Sequence, residues 1–371
     1  MRAALTWSAA VFVVTNRKIN DSSTGVDKFG KTPNENGNNE LRLARVTKRK
    51  NGYNVKFLDD KLDEGEAREL INEFKLSLDP DQTQYASLKV ACQTARHARD
   101  RKRHILIFVH GYNNDVRDVM NTAFDLEERY EVEVIPFSWP ANGGGVGGKL
   151  SYLADKRDAR ASAGALERTL KKLHEYLMLI SESNREELRR QAAKKHPDNA
   201  QRRDALYAEL LRKECPFTVN GLFHSMGNYL YKQMLKSTIT QGNNLIFDNV
   251  VLCQADTNNL GHPNWVDRIS HNRRVFITIN ENDFALRLSR IKPGDAQRAR
   301  LGHFIKRLDS RIAHYINLTD ASWVQESHSP FGEPAEKNEK LKEFFRKAFT
   351  GEPAEELLRF RAEGNWYEVP R

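Results

Sequence analysis

Short apolar runs recur along the chain, each followed by a helical pattern. The runs at residues 11–14, 104–109, 132–140, 217–224, 248–256, 274–283 and 313–319 are four to ten residues long and read as buried strands with their ends. Between them, apolar positions step by three and four. Val116, Val119, Met120, Ala123, Phe124 and Leu126 form one such stripe, and Tyr229, Leu230, Met234 and Leu235 form another. Residues 150–180 predict one long amphipathic helix carrying Leu153, Ala161, Ala165, Leu166, Leu170, Leu173 and Leu177 on one side. Residues 63–78 and 85–98 are also helical in pattern. Alternation at 41–47 and 53–58 predicts two antiparallel strands near the start, after a polar Gly/Asn-rich loop at 20–39. Strands alternating with helices predict an α/β fold built from right-handed crossover units.

Two segments stand outside that rhythm. Residues 181–214 are highly charged and carry two helical patterns broken at His196-Pro197. They read equally as a lid or as a hairpin for a partner or oligomer contact. From residue 333 onward the chain reads as charged helix with an exposed tail at Trp366.

The most informative junction is at residues 217–228, where a β-branched apolar run rises to His224-Ser225-Met226-Gly227 and a helix pattern begins. A serine at the tip of a strand–turn–helix is the nucleophile-elbow arrangement. The turn exposes the hydroxyl and leaves the N–H of Met226 to face a developing oxyanion. Gly227 suits a close approach of helix to strand. One position departs from the usual pattern: Phe223 stands where a glycine or small residue is expected. Residues 104–114 form a second strand–turn–helix, ending in His110-Gly111-Tyr112-Asn113-Asn114, with the N–H of Tyr112 or a neighbour as second oxyanion donor. A third strand ends in Ser138-Trp139-Pro140.

In this order and spacing, the segments resemble the α/β-hydrolase superfamily, most closely its little-characterised bacterial branch with HGYNN, SWP and HSMGN strings. The resemblance spans residues 11–332 and includes a first strand ending in Thr15-Asn16-Arg17. It implies a mostly parallel central sheet of about eight strands flanked by helices. The hydrolase domain would occupy residues 1–332, with 181–214 inserted before the nucleophile strand, and 333–371 would be a helical tail.

A serine hydroxyl needs a base to take its proton, and an imidazole needs a carboxylate to fix its tautomer. Ser225, Asp283 and His328 follow successive strands in the order that the fold requires. The resemblance implies the acid in Asn282-Asp283-Phe284-Ala285-Leu286 and the base in His328-Ser329; the apolar Phe284 and Leu286 are themselves suited to bury the surroundings of the Asp283 carboxylate. Asp256, at the end of the strand before, remains a rival acid. Among the other histidines, His110 reads as structural and His224 as pointing away from the serine. His303 and His314 read as satisfied and noncatalytic, and His262 and His271 as loop residues. Arg287, Arg290, Arg298 and Arg300 read as solvated surface rather than as holders of an anionic group, although Arg300-Leu301-Gly302 resembles a string of the branch.

Composition narrows the picture. The net charge of +9 comes from scattered residues interleaved with acids, and no nucleic-acid motif accompanies it, so a solvated charged face is expected. Cys92, Cys215 and Cys253 are too few and too far apart for a disulfide framework or metal cluster. No run is long enough for a membrane helix. Residues 1–14 resemble a weak signal peptide, but the strand reading is preferred, and with it a cytoplasmic location. The glycine-rich stretch at 141–148 lacks the lysine-serine ending of a phosphate loop and reads as a flexible rim. The expectation is a serine hydrolase, esterase- or lipase-like, using no cofactor and no metal and acting on an acyl ester. The alternative is a catalytically silent hydrolase fold serving as an interaction module.

Overall fold

Consecutive residues of the apolar runs point to opposite faces, and both faces are covered. The computed structural model describes residues 10–141, 148–214, 217–236, 247–290 and 299–370. Strand β1 is Ala10–Thr15, and β2 (Arg17–Ile19) pairs with β3 (Phe29–Pro33) in a small separate ribbon. The main sheet continues with β4 (Arg42–Arg49), β5 (Gly52–Phe57), β6 (His104–Val109), β7 (Val132–Ser138) and β8 (Val219–His224). It is completed by β9 (Phe247–Cys253), β10 (His271–Ile279), β11 (Ala313–Asn317), β12 (Arg359–Arg361) and β13 (Trp366–Glu368). Among the described residues, eleven strands form one sheet in the order β12-β13-β11-β10-β9-β8-β6-β7-β1-β4-β5. The neighbours from β13 through β1 pair in parallel, while β4, β5 and β12 are antiparallel additions at the edges. The sheet is therefore wider than the expected eight strands.

Strand β6 shows how the layers form. Ile105, Ile107 and Val109 enter one core, and Leu106 and Phe108 enter the other. The first core is closed by α1 (Glu64–Phe74), α2 (Ala86–Arg101), α4 (Gly148–Ala161), α5 (Ala163–Lys195) and α7 (Met226–Lys236). The second is closed by α3 (Val116–Tyr130) and, late in the chain, by α10 (Glu333–Lys337) and α11 (Glu339–Phe349). Short helices α8 (Pro263–Val266) and α9 (Phe284–Ser289) follow β9 and β10, and α6 (Ala200–Glu214) runs back along α5.

The C-terminal segment is more than a charged tail. Leu341, Phe344, Phe345, Ala348 and Phe349 recur at helical spacing on α11 and are buried, so the charges occupy only the outer face. Beyond it, Tyr367 pairs with Ile316, which adds β13 to the sheet and leaves Trp366 half-buried. The expected helix at 150–180 is broken at Ser162, whose hydroxyl bonds back to the Asp158 carbonyl and receives the Asn16 amide. The segment 181–214 packs back against the rest of the chain. Its first half continues α5, where Ser183 donates to the α1 carbonyl of Phe74 and Glu187 pairs with Lys75. The cysteine at 215, the glycines at 143–145 and 147, the first nine residues and the arginine at 298 lie outside the described residues.

Candidate active site

The elbow is built as its residue types require. Ser225 has φ +54°, a left-handed conformation that costs an L-residue roughly 1–2 kcal/mol and is kept only where the surroundings enforce it. The enforcement is visible. The Ser225 N–H donates to the Cys253 carbonyl, and the Ser225 carbonyl accepts from the N–H groups of Asn228 and Asp256. The Asn228 side-chain amide donates to the carbonyls of Phe223 (2.7 Å), Ser225 (3.2 Å) and Cys253 (3.2 Å). A Cβ on Gly227 would lie 2.5 Å from the Val109 carbonyl, so only glycine lets α7 seat this close to β6. Phe223 is accommodated rather than disruptive. It stacks on Tyr231, and Gly221 on the same strand face leaves room, since a Cβ there would lie 2.9 Å from the Phe223 ring.

The turn after β6 lies directly against the serine. A Cβ on Gly111 would come within 2.6 Å of the Ser225 Cβ and 3.1 Å of its Oγ. The three strings recognised in the sequence are clasped behind it. Trp139 Nε1 donates to the His110 carbonyl at 2.9 Å, and its ring stacks on the His110 imidazole. Thr15 Oγ1 donates to the Ser138 carbonyl, and the buried Arg17 guanidinium donates to Ser138 Oγ and to the carbonyls of Asn114 and Ala141. Arg17 is the residue that sequence reasoning passed over. Its signal was its place directly after a buried strand in the Thr15-Asn16-Arg17 string.

Asp283 and His328 meet: His328 Nδ1 lies 2.7 Å from Asp283 Oδ2. Asp283 is completely buried, but Phe284 does not cover it, being 49% exposed. The carboxylate is held instead by the Gln254 amide at 3.2 Å and the Leu286 N–H at 2.9 Å, as the N-cap of α9. Asn280 donates to the carbonyls of Gln325 and Ser327, fixing the loop that carries His328. His224 does point away from the serine, yet it has a task there. Its Nε2 donates to the His328 carbonyl at 2.8 Å.

Asp256 has a different partner. Its Oδ1 lies 3.0 Å from Arg300 Nε and from Ser289 Oγ, and Tyr152 donates to its Oδ2 at 2.9 Å. Arg300 is thus buried, against the surface expectation, because the 300–302 string threads between strand ends. Leu301 N–H donates to the Thr257 carbonyl, and Gly302 packs where a Cβ would strike Ala255. Arg287 and Arg290 do lie on the surface. Ser225, His328, Tyr112 and Asp256 share one cavity of about 310 Å³. None of the described residues lining it comes from 181–214, so the lid reading gains no support.

Residues 89–184, from α2 to midway along α5, match a family model described as "Alpha/beta hydrolase of unknown function (DUF900)". The fold is that of an α/β hydrolase. No curated protein and no solved structure matches it. The matched stretch holds the turn at Gly111 and the Trp139 clasp, while Ser225, Asp283 and His328 lie outside it.

Burial sets the protonation of the inner histidines. His110 and His224 are pushed down to about 3, mainly by desolvation, so both are neutral hydrogen-bonding groups near pH 7. Arg17 falls to about 10 for the same reason, opposed by the charge of Asp155, and remains a cation. His262 is anchored by the Asn259 carbonyl and the Tyr315 hydroxyl. His303, expected to be satisfied, is buried with neither ring nitrogen bonded among the described residues. Among those residues no three His, Cys, Asp or Glu side chains converge as a metal ion would need. No described helix is long and apolar enough to cross a membrane.

Proposed function

We propose that this α/β hydrolase is a serine hydrolase that cleaves carboxylic esters through an acyl-enzyme. The observation that carries the reading is the Asp283–His328 pair, whose histidine opens to the same cavity as a serine held at positive φ. In this reading Ser225 Oγ attacks the ester carbonyl carbon while His328 Nε2 takes the hydroxyl proton. Asp283 holds the proton on Nδ1 and stabilises the imidazolium. The tetrahedral oxyanion faces the backbone N–H groups of Met226 and Tyr112. Met226 opens α7, where the first N–H groups have no acceptor within the helix. Collapse breaks the C–O bond, and the alcohol leaves with the proton from His328. Water then gives a proton to His328 and its hydroxyl to the acyl carbon. The acid departs and Ser225 regains its proton.

A fluorophosphonate probe tests this. One adduct on the peptide containing Ser225 is expected, together with loss of labelling and of p-nitrophenyl butyrate turnover in Ser225→Ala. Equal labelling of that variant would refute the assignment.

A further inference from the structure

The cavity has two unlike walls. One is the apolar face of α9, with Phe284, Ala285, Leu286 and Leu288. Phe284 and Leu288 are 49% and 41% exposed, so this apolar strip continues out of the cavity mouth. The other wall is polar and is formed by Asn113, Asn114, Tyr152, Asp256 and Ser289. Asp256 in this wall is backed by Arg300, which does not itself line the cavity; the two are 5% and 4% exposed and 3.0 Å apart. A buried ion pair is an expensive way to make a stable wall, because two charges lose their water. An apolar wall would serve stability as well, which points to recognition.

The pair also determines what could be recognised. Asp256 alone would draw a cation and Arg300 alone an anion. Joined at 3.0 Å they cancel, and what remains is a neutral surface of hydroxyl, amide and carboxylate oxygen groups. Such a surface suits a partner that both donates and accepts, as a hydroxyl does. Its distance from the chemistry is fixed, because the Asp256 N–H donates to the Ser225 carbonyl at 3.1 Å. The Tyr152 hydroxyl is pinned by donation to Asp256, and burial beside that carboxylate raises its pKa, so it stays protonated.

Resting on the ester-hydrolase reading, we infer that the substrate is an uncharged ester of a compact hydroxylated alcohol. The acyl chain lies along α9 and leaves the mouth over Phe284 and Leu288. The free hydroxyl of the alcohol meets Tyr152, Ser289 and Asp256.

Four butyrate-sized probes distinguish this from the alternatives: ethyl butyrate, 2-hydroxyethyl butyrate, butyrylcholine and ethyl hydrogen succinate, followed by acid release. One good hydrogen bond changes kcat/KM by about tenfold. The hydroxyethyl ester should therefore exceed ethyl butyrate by about that factor, with both charged esters below it. Tyr152→Phe and Ser289→Ala should each lower the hydroxyethyl-to-ethyl ratio several-fold. Phe284→Ser should erase any gain from lengthening the acyl chain. The first comparison needs no variant, so a misfolded mutant does not shield the inference. A wild-type ratio near one, preference for a charged ester, ratios unchanged in both hydroxyl variants, or no turnover of the hydroxyethyl ester would overturn it. Fluorophosphonate labelling of Ser225 in the same samples tells whether only this inference fails or the hydrolase reading fails with it.

Discussion

Asp256 and Asp283 follow neighbouring parallel strands, β9 and β10, and both carboxylates are buried. One meets Arg300 and the other His328. The difference lies in the segments that arrive later in the chain. Residues 299–303 thread between the strand ends and bring a guanidinium, which only donates hydrogen bonds. The loop before α10 brings an imidazole, whose two ring nitrogens can each hold or accept a proton. The first pair is static and suits a wall. The second can take part in proton transfer. Position on the sheet made both acids eligible, and the partner decided what each can do.

The sharpest way to break this comparison is to neutralise each acid in turn. Asp283→Asn should keep the fold and lower ester turnover by about ten-thousandfold, by favouring the wrong tautomer of His328. Asp256→Asn should lower turnover far less. Steady-state rates on one activated ester check both, and a dead Asp256 variant beside an active Asp283 variant would reverse the roles. Stability should separate the two the other way round. Asp256→Asn strands the Arg300 guanidinium in a dry site, and breaking such a pair typically costs about 3–5 kcal/mol, to be read from urea unfolding.

Both acids matter only if Ser225 stays in place, and Gly111 controls that. A single methyl group at 111 would meet Ser225, and a displacement of about 1 Å can cost about a hundredfold in rate. Gly111→Ala should therefore lose about that factor in kcat while remaining folded by circular dichroism. Normal turnover would mean that the turn yields without moving the serine.

The smallest effect concerns His224, which steadies His328 from behind. Its folded pKa of about 3 lies below the ordinary 6.5, so stability from this site is complete above pH 6.5 and is lost as pH falls towards 3. Over that window the unfolded chain binds a proton that the folded one does not. Glu127 is pushed up to about 8 by burial and acts in the opposite direction as pH rises from 4.5. It does so equally in wild type and variant, so the difference between them isolates His224. His224→Gln should flatten the acid slope of unfolding free energy by up to one proton, and an unchanged slope would contradict the assignment.

Much of this fold is determined locally and was legible in the residues. Apolar runs of strand length, helical stripes and the glycines at 111 and 227 depend on near neighbours along the chain, and they locate the sheet, its flanking helices and the elbow. The partners across the chain were not legible. Nothing near Arg300 marks it as buried, because its burial comes from Tyr152, Asn258 and Asp256, brought together only when the strands pair. Phe284 looked like cover for Asp283, but α9 turns it outward and Gln254, from the preceding strand end, supplies the hold. The C-terminal charges hid a five-residue apolar stripe whose meaning appears only against an open sheet face. Periodicity reports which side of an element is apolar, whereas the choice of partner depends on contacts between segments tens or hundreds of residues apart, and only the folded sheet decides those.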